Sequence, residues 1–300
     1  MVEDKTRHIL GLSGGKDSTG LLILLKDAIP QMEYFFCDTG KELPETYEYI
    51  EKIEARFGIQ VERLSPHQGF DFWFERGGGY LPSPRQRWCT INLKIKPLEK
   101  FVGDDPVYSY IGIREDEDRL GYISSKPNIR PIYPYKAAGF VAKDQRGNIT
   151  YDQSKINGVF KELGIDLPVR KWGYTIDDVR KLLDESGIGF PDYYRWRSRS
   201  GCYFCFFQRK YEWVMLAEEH PDLFEKAVQY EENHKDGRKY TWNDDESLLE
   251  LVARKEEIIA NHNVQMEKEK ASRPNKPLID VLADALDVDD DSEPCLICKI

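Results

Sequence analysis

Ser13-Gly14-Gly15-Lys16-Asp17-Ser18-Thr19 gathers, within seven residues, the groups that suit a bound anion. Gly14 and Gly15 let backbone N–H groups approach phosphate oxygens with no Cβ in the way. Ser13, Ser18 and Thr19 add hydroxyl donors, and Lys16 adds a point charge. Asp17 is the discordant member, because a carboxylate repels phosphate unless a cation lies between them. It is read as a Mg²⁺ ligand; Asp38 of Asp38-Thr39-Gly40 is a strand-end cap or, paired with this loop, a second Mg²⁺ or nucleotide contact. The pattern G-x-x-x-x-G-K-[ST] is absent. A second chemical centre is Cys202-x-x-Cys205, which alone allows a zinc half-site, a redox pair or cluster ligands. Just before it, Arg195, Arg197 and Arg199 interleave with Tyr193, Tyr194 and Trp196. That interleaving suits a nucleic-acid strand, or an arginine face paired with the chain's own carboxylates.

These residues need elements to position them. His8–Leu12 reads as a buried strand, the glycine loop follows, and Leu21–Leu25 reads as a helix stopped by Pro30. Strand, glycine turn and helix together aim N–H groups and a helix N-terminus at one spot. Met32–Cys37 and Ile59–Leu64 read as strands on either side of a Pro44–Phe57 helix, and Val107–Ile113 as a further strand. Such alternation predicts an α/β fold, a mainly parallel Rossmann-like sheet with helices on both faces and ligands at the strands' carboxyl ends. Phe70 to Gly79 reads as an irregular aromatic loop, a lid or substrate wall. Residues 140–165 read as an insertion with a hairpin turn at Gln145–Asn148, and Thr175 with Asp178 as a capping box. Helices follow around Trp213 and Leu216, over Leu223–Val228, and over Leu248–Ile259. The expected organisation is one domain over 1–242 and a helical extension over 243–300, ending in an acidic tail that carries Cys295 and Cys298.

Composition narrows the class. The 300 residues carry 53 acidic against 43 basic side chains, a formal net charge of −10, which argues against a broadly basic nucleic-acid surface. No apolar run reaches membrane-spanning length, and Met1–Lys5 is charged, so a cytoplasmic location without membrane contact is expected. Six cysteines in that setting point to metal or redox thiols rather than disulfides, with Cys37 in a strand as a core thiol.

Five segments together resemble one family. Ser13–Ser18 resembles the SGG-x-DS loop of the ATP pyrophosphatases. Asp38–Gly40 with Pro44-Glu45-Thr46-Tyr47 resembles the DTG…PET-Y segment of the phosphoadenosine phosphosulfate reductase family. Arg87 to Leu98, Gly112/Arg114/Glu117, and Arg199 to Cys205 match three further segments, with Trp88 where the family has a second cysteine beside Cys89. The resemblance implies a five- or six-stranded sheet of the adenine nucleotide α-hydrolase type. It implies ATP on Ser13 to Thr19, Asp38 to Gly40 and Gly112, with Lys16, Asp17, Asp38 and Arg114 in catalysis. It also implies a [4Fe–4S] cluster on Cys89, Cys202 and Cys205, either with an open iron or closed by Cys295 or Cys298; zinc on the two C-x-x-C pairs is the alternative. Within the superfamily the single Cys89 and the insertion look most like the DndC-type proteins of DNA phosphorothioation. That implies adenylation of a DNA backbone phosphate, with a cysteine desulfurase and other subunits as partners and Arg195, Arg197 and Arg199 toward DNA. The alternatives are a sulfonucleotide reductase and a nucleotide-binding subunit without turnover.

Overall fold

The computed structural model describes residues 6–118, 126–144, 146–232, 240–243 and 246–272. Five parallel strands build the central sheet: β1 (Arg7–Gly11), β2 (Glu33–Phe36), β3 (Val61–Arg63), β4 (Val107–Tyr110) and β5 (Ile129–Ile132). Their order is β3-β2-β1-β4-β5, so the chain leaves β1 in one direction and returns at β4 to build in the other. A ligand crevice belongs at the carboxyl ends of β1 and β4, where the order reverses.

Strand periodicity of two assigns the residues to faces. Leu10, Tyr34, Phe36, Tyr108 and Tyr110 point to one side and pack with α1 (Lys16–Leu25), α2 (Pro44–Phe57) and α7 (Ile176–Ser186). Ile9, Phe35 and Val107 point to the other, against Leu98 and Val102 of α5 (Lys96–Val102). Both faces are therefore covered, as the alternation of strands and helices predicts. The sheet has five strands. β5 went unread in the sequence because Arg130 and Pro131 occupy half of it; an edge strand tolerates a proline that a central strand does not.

The other elements refine the sequence reading. Phe70 to Gly79 is no loop: α3 spans Phe70–Arg76 and drives Phe70 to 4.4 Å from the Phe204 ring and 4.9 Å from Trp88. Trp88–Thr90 (α4) runs through a π-helical turn, Ile91–Ile95, into α5. The expected hairpin is present as β6 (Val141–Lys143) and β7 (Ile149–Asp152), and α6 (Gln153–Glu162) follows it. The capping box is present at the start of α7. Beyond, α8 (Lys210–Glu219), α9 (Pro221–Glu232), α10 (Leu248–Ala253) and α11 (Lys255–Ser272) form a helical region around Trp213, Trp242 and Leu248. The helix expected over Leu248–Ile259 is two helices, broken at Arg254. The acidic tail lies outside the described residues, and no described helix is long and apolar enough to cross a membrane.

Gly20 sets the depth of the α1–α7 contact. A Cβ there would lie 2.7 Å from the Tyr135 hydroxyl and 3.0 Å from Val179. Tyr135 cannot simply step aside, because its hydroxyl donates to the Asp17 carbonyl at 3.0 Å. Gly158 in α6 meets nothing within 4 Å. Gly158→Ala is expected to stabilise by about 0.5–1 kcal/mol through helix propensity alone. Gly20→Ala makes the same propensity change yet is expected to destabilise by about 1–3 kcal/mol through overpacking. Urea unfolding midpoints check both, and equal signs would refute the close approach.

Candidate functional site

The glycine loop leaves the carboxyl end of β1 and enters α1, whose first turn contains Lys16 and Asp17. Gly14 takes φ +72, a left-handed value that a side chain would strain, and a Cβ there would meet Thr46 at 2.7 Å. The N-terminus of α2 therefore sits directly on the loop. Ser18 Oγ donates to the Gly15 carbonyl at 3.1 Å and accepts from Ser13 N–H at 3.2 Å; Thr19 Oγ1 donates to the same carbonyl at 2.9 Å. These bonds fold the turn so that successive N–H groups converge at the helix start, the geometry that receives an anion.

Gly112 and Arg114 arrive from the carboxyl end of β4. A Cβ at Gly112 would stand 3.2 Å from the Asp17 carbonyl, so glycine lets the two strand ends close on each other. Arg114 Nη1 reaches Asp17 Oδ1 at 2.6 Å and Glu117 Oε1 at 2.9 Å, and Nε reaches Asp116 at 3.0 Å. Arg114, Asp17 and Glu117 are all buried. Lys16 Nζ lies 3.8 Å from Asp17 Oδ2. Asp17 is thus answered by two cations of the chain itself. Asp38 Oδ1 accepts from Gly40 N–H at 2.9 Å and from Tyr47 at 2.8 Å, so Asp38, Thr39 and Gly40 form a closed turn beside the loop.

Thr39 turns toward the thiols. Its hydroxyl lies 3.3 Å from Cys202 Sγ and donates to Glu42 at 2.8 Å. Glu42 and Cys202 also pair as an isolated β-bridge. Burial pushes the Glu42 carboxyl upward, against the opposing pull of Lys94 and Thr39. Burial, then the Glu42 charge, raise the Cys202 thiol far above its ordinary value, which makes it a protonated, sluggish thiol. Cys89, Cys202 and Cys205 do line one pocket, with Phe70, Leu93, Lys94 and Phe207.

That pocket measures about 30 Å³, room for a water or two and not for a four-iron cube. Among the described residues no three His, Cys, Asp or Glu side chains are grouped to hold a metal ion. As arranged here, the three thiols do not leave room for the expected cluster. Cys295 and Cys298, the expected fourth ligand, lie outside the described residues.

The arginines divide. Arg197 is 1% exposed, and its guanidinium donates to the Gly201 carbonyl at 3.0 Å and the Cys202 carbonyl at 2.6 Å. It braces the thiol turn and does not face a nucleic-acid strand, a correction to the sequence reading. Arg195 is exposed, and Arg199 lies over the Phe207 ring. Sequence reasoning missed Ser200 and Glu42 and named Tyr194 only among the aromatics of the arginine stretch; all three touch the loop or the thiol turn across long chain separations. Only the proximity of Ser200 and Tyr194 to Cys202 in sequence hinted at them.

Removing the guanidinium at the strand-end junction takes one cation from two buried carboxylates, Asp17 and Glu117. Arg114→Met is expected to destabilise by about 3–5 kcal/mol, the scale for breaking a buried pair. Asp116→Asn, at the accessible edge of the same network, is expected to change stability by under about 1 kcal/mol. Denaturant unfolding of the two variants distinguishes them, and equal losses would contradict this division of the network.

Residues 7–126 match the family model described as the phosphoadenosine phosphosulfate reductase domain. An uncharacterised protein of Methanocaldococcus jannaschii is 29% identical over 234 residues, covering 75% of this chain and 42% of that protein. An adenosine 5'-phosphosulfate reductase of Salinibacter ruber is 28% identical over 107 residues, 36% of this chain and 42% of that protein. A tRNA-specific 2-thiouridylase of Limosilactobacillus reuteri is 24% identical over 209 residues, 62% of this chain and 49% of that protein. The chain spans less than half the length of these curated relatives. Over residues 7–126, then, the chain is similar to the phosphoadenosine phosphosulfate reductase domain.

Proposed function

We propose that the chain is an enzyme acting on an adenine nucleotide whose anionic end lies on the Ser13–Thr19 loop, with a sulfonucleotide as its substrate class. One observation carries this reading. Lys94 lines both the cavity bounded by Ser13, Glu42 and Ser200 and the pocket of Cys89, Cys202 and Cys205. An anion on the loop would therefore sit next to thiols, the pairing that reduction of a sulfonucleotide requires. The match to sulfonucleotide reductases supports it.

In this reading Gly14–Lys16 N–H groups, the Ser13 and Ser18 hydroxyls and Lys16 hold and orient the anion. A thiolate attacks the sulfur atom of the sulfate, and the bond from that sulfur to its bridging oxygen breaks. The nucleotide leaves with the electron pair on its phosphate oxygen. The cysteine is left as an S-sulfonate, from which an external dithiol reductant releases sulfite and is itself oxidised to the disulfide. Cys202 is a poor attacking group, since burial and Glu42 keep it protonated. The nucleophile is then Cys89 or Cys205 of the same pocket, or Cys295 or Cys298 of the tail.

A second reading is cleavage of ATP between its α and β phosphates, which transfers adenylate to an acceptor and releases pyrophosphate. It is favoured by the 2-thiouridylase match, which covers 62% of the chain against 36% for the Salinibacter reductase. DNA as the acceptor, with a cysteine desulfurase supplying sulfur, is the finer form of this reading. It keeps Arg195 and Arg199 and loses the buried Arg197.

Anaerobic turnover decides between them. With adenosine phosphosulfate or its 3'-phosphorylated form and a dithiol, sulfite release is expected. Lys16→Met should lower that rate by roughly 10²–10³, the scale for losing one preorganised donor. Pyrophosphate release from ATP without sulfite from either sulfonucleotide would establish the second reading. Tight nucleotide binding with neither product would make the chain a binding subunit.

A further inference from the structure

The glycine loop is roofed by a segment that begins almost 180 residues later in the chain. The Tyr193 hydroxyl donates to the Gly14 carbonyl at 2.7 Å. The Tyr194 hydroxyl accepts from Lys16 N–H at 3.3 Å, and Lys16 Nζ stands 5.0 Å from the centre of its ring. Ser200 Oγ lies 3.0 Å from Ser13 Oγ. A Cβ on Gly15 would come within 2.8 Å of Ser200 Oγ and 3.3 Å of the Tyr194 hydroxyl, so both oxygens sit over the middle of the turn.

One residue beyond Ser200, Gly201 takes φ +145 and the chain enters the thiol turn at Cys202. That stretch is stiffly held. Arg197 clamps the Gly201 and Cys202 carbonyls. Buried Glu212 accepts from Ser198 N–H at 2.7 Å and from Arg209 N–H at 3.1 Å, tying both flanks of the turn to α8. A displacement at Tyr194 or Ser200 is therefore carried into Cys202 rather than absorbed by slack between them.

We propose that Tyr194 and Ser200 are ligand-contacting residues of the anion loop, and that their segment transmits the loop's occupancy to the Cys202 thiol. The inference rests on the loop being the nucleotide site. An anion at the Lys16 N–H takes the place that the Tyr194 hydroxyl fills in this structure. The two hydroxyls then turn from partners of the loop into donors to the anion, the Tyr194 oxygen moving aside as the anion enters. The anion adds ties to a segment that already carries Cys202, so the thiol should open to solvent less often.

The test uses the full chain under anaerobic conditions. ATP binding is measured by equilibrium dialysis, and the alkylation rate of Cys202 by iodoacetamide is read by peptide mass spectrometry. ATP is expected to slow alkylation of Cys202 at least threefold in the parent. Tyr194→Phe and Ser200→Ala are each expected to weaken ATP binding about tenfold, the scale of one hydrogen bond to a charged group. They should also abolish most of that protection at an ATP concentration that saturates the parent. Parent-like ATP binding in both variants would overturn the contact. A parent Cys202 rate that ATP leaves unchanged or raises, or full protection retained in both weakened variants once ATP saturates them, would overturn the transmission. Failure of the parent to bind either ATP or a sulfonucleotide would instead overturn the nucleotide reading, and this inference with it.

Discussion

The ion pair between Arg114 and Asp17 is the contact on which the rest of the site depends. It joins the carboxyl end of β1 to that of β4 across the point where strand order reverses. Without a cation, an aspartate at the mouth of an anion loop would be self-defeating. The buried guanidinium pairs with Asp17 and holds Glu117 as well, while Lys16 stands 3.8 Å from the Asp17 carboxyl. Glycine at 112 and tyrosine at 135 complete the junction, the first by allowing contact with the Asp17 backbone and the second by donating to it. The loop's own hydrogen bonds fold its turn, and this junction fixes where that turn stands.

A second constraint is that the C-x-x-C turn is not an appendage. Its carbonyls are satisfied by Arg197, its flanks by Glu212, and its edge by the bridge between Glu42 and Cys202. Buried backbone groups must find partners, and here an arginine supplies them where no strand does. The same demand explains why an arginine-rich stretch can be structural on a protein with surplus acid. Lys94, carried on a π-helical turn, stands in the wall between the anion cavity and the thiols, a place where such turns recur in functional sites.

Local chemistry was legible in the sequence, and long-range contact was not. The loop, the Asp38 turn, the α2 boundaries and the Thr175 capping box each lie within a few residues, so propensity and hydrogen-bond rules reach them. The sheet followed from alternation of apolar strands and helices. β5 escaped because half of it reads as a non-strand, and α3 because Phe72 and Trp73 mask the helical spacing of its buried Phe70 and Phe74. Arg197 read as facing a nucleic-acid strand or a carboxylate because nothing local shows that its guanidinium turns back onto the Gly201 and Cys202 carbonyls. The roof of Tyr194 and Ser200 over the loop spans nearly the whole domain, beyond the reach of any motif. The thiol pocket shows the opposite lesson: three cysteines matching a ligand pattern meet in space, yet the room between them suits water rather than iron.

Amide hydrogen exchange on the full chain, with and without an adenine nucleotide, tests the central claim most directly. The claim is that the glycine loop and the segment over it form one nucleotide site. Joint protection is expected over residues 11–19 and 191–203 when the nucleotide is added, with little change in the hairpin of β6 and β7. Protection elsewhere with both of those stretches unchanged would contradict it.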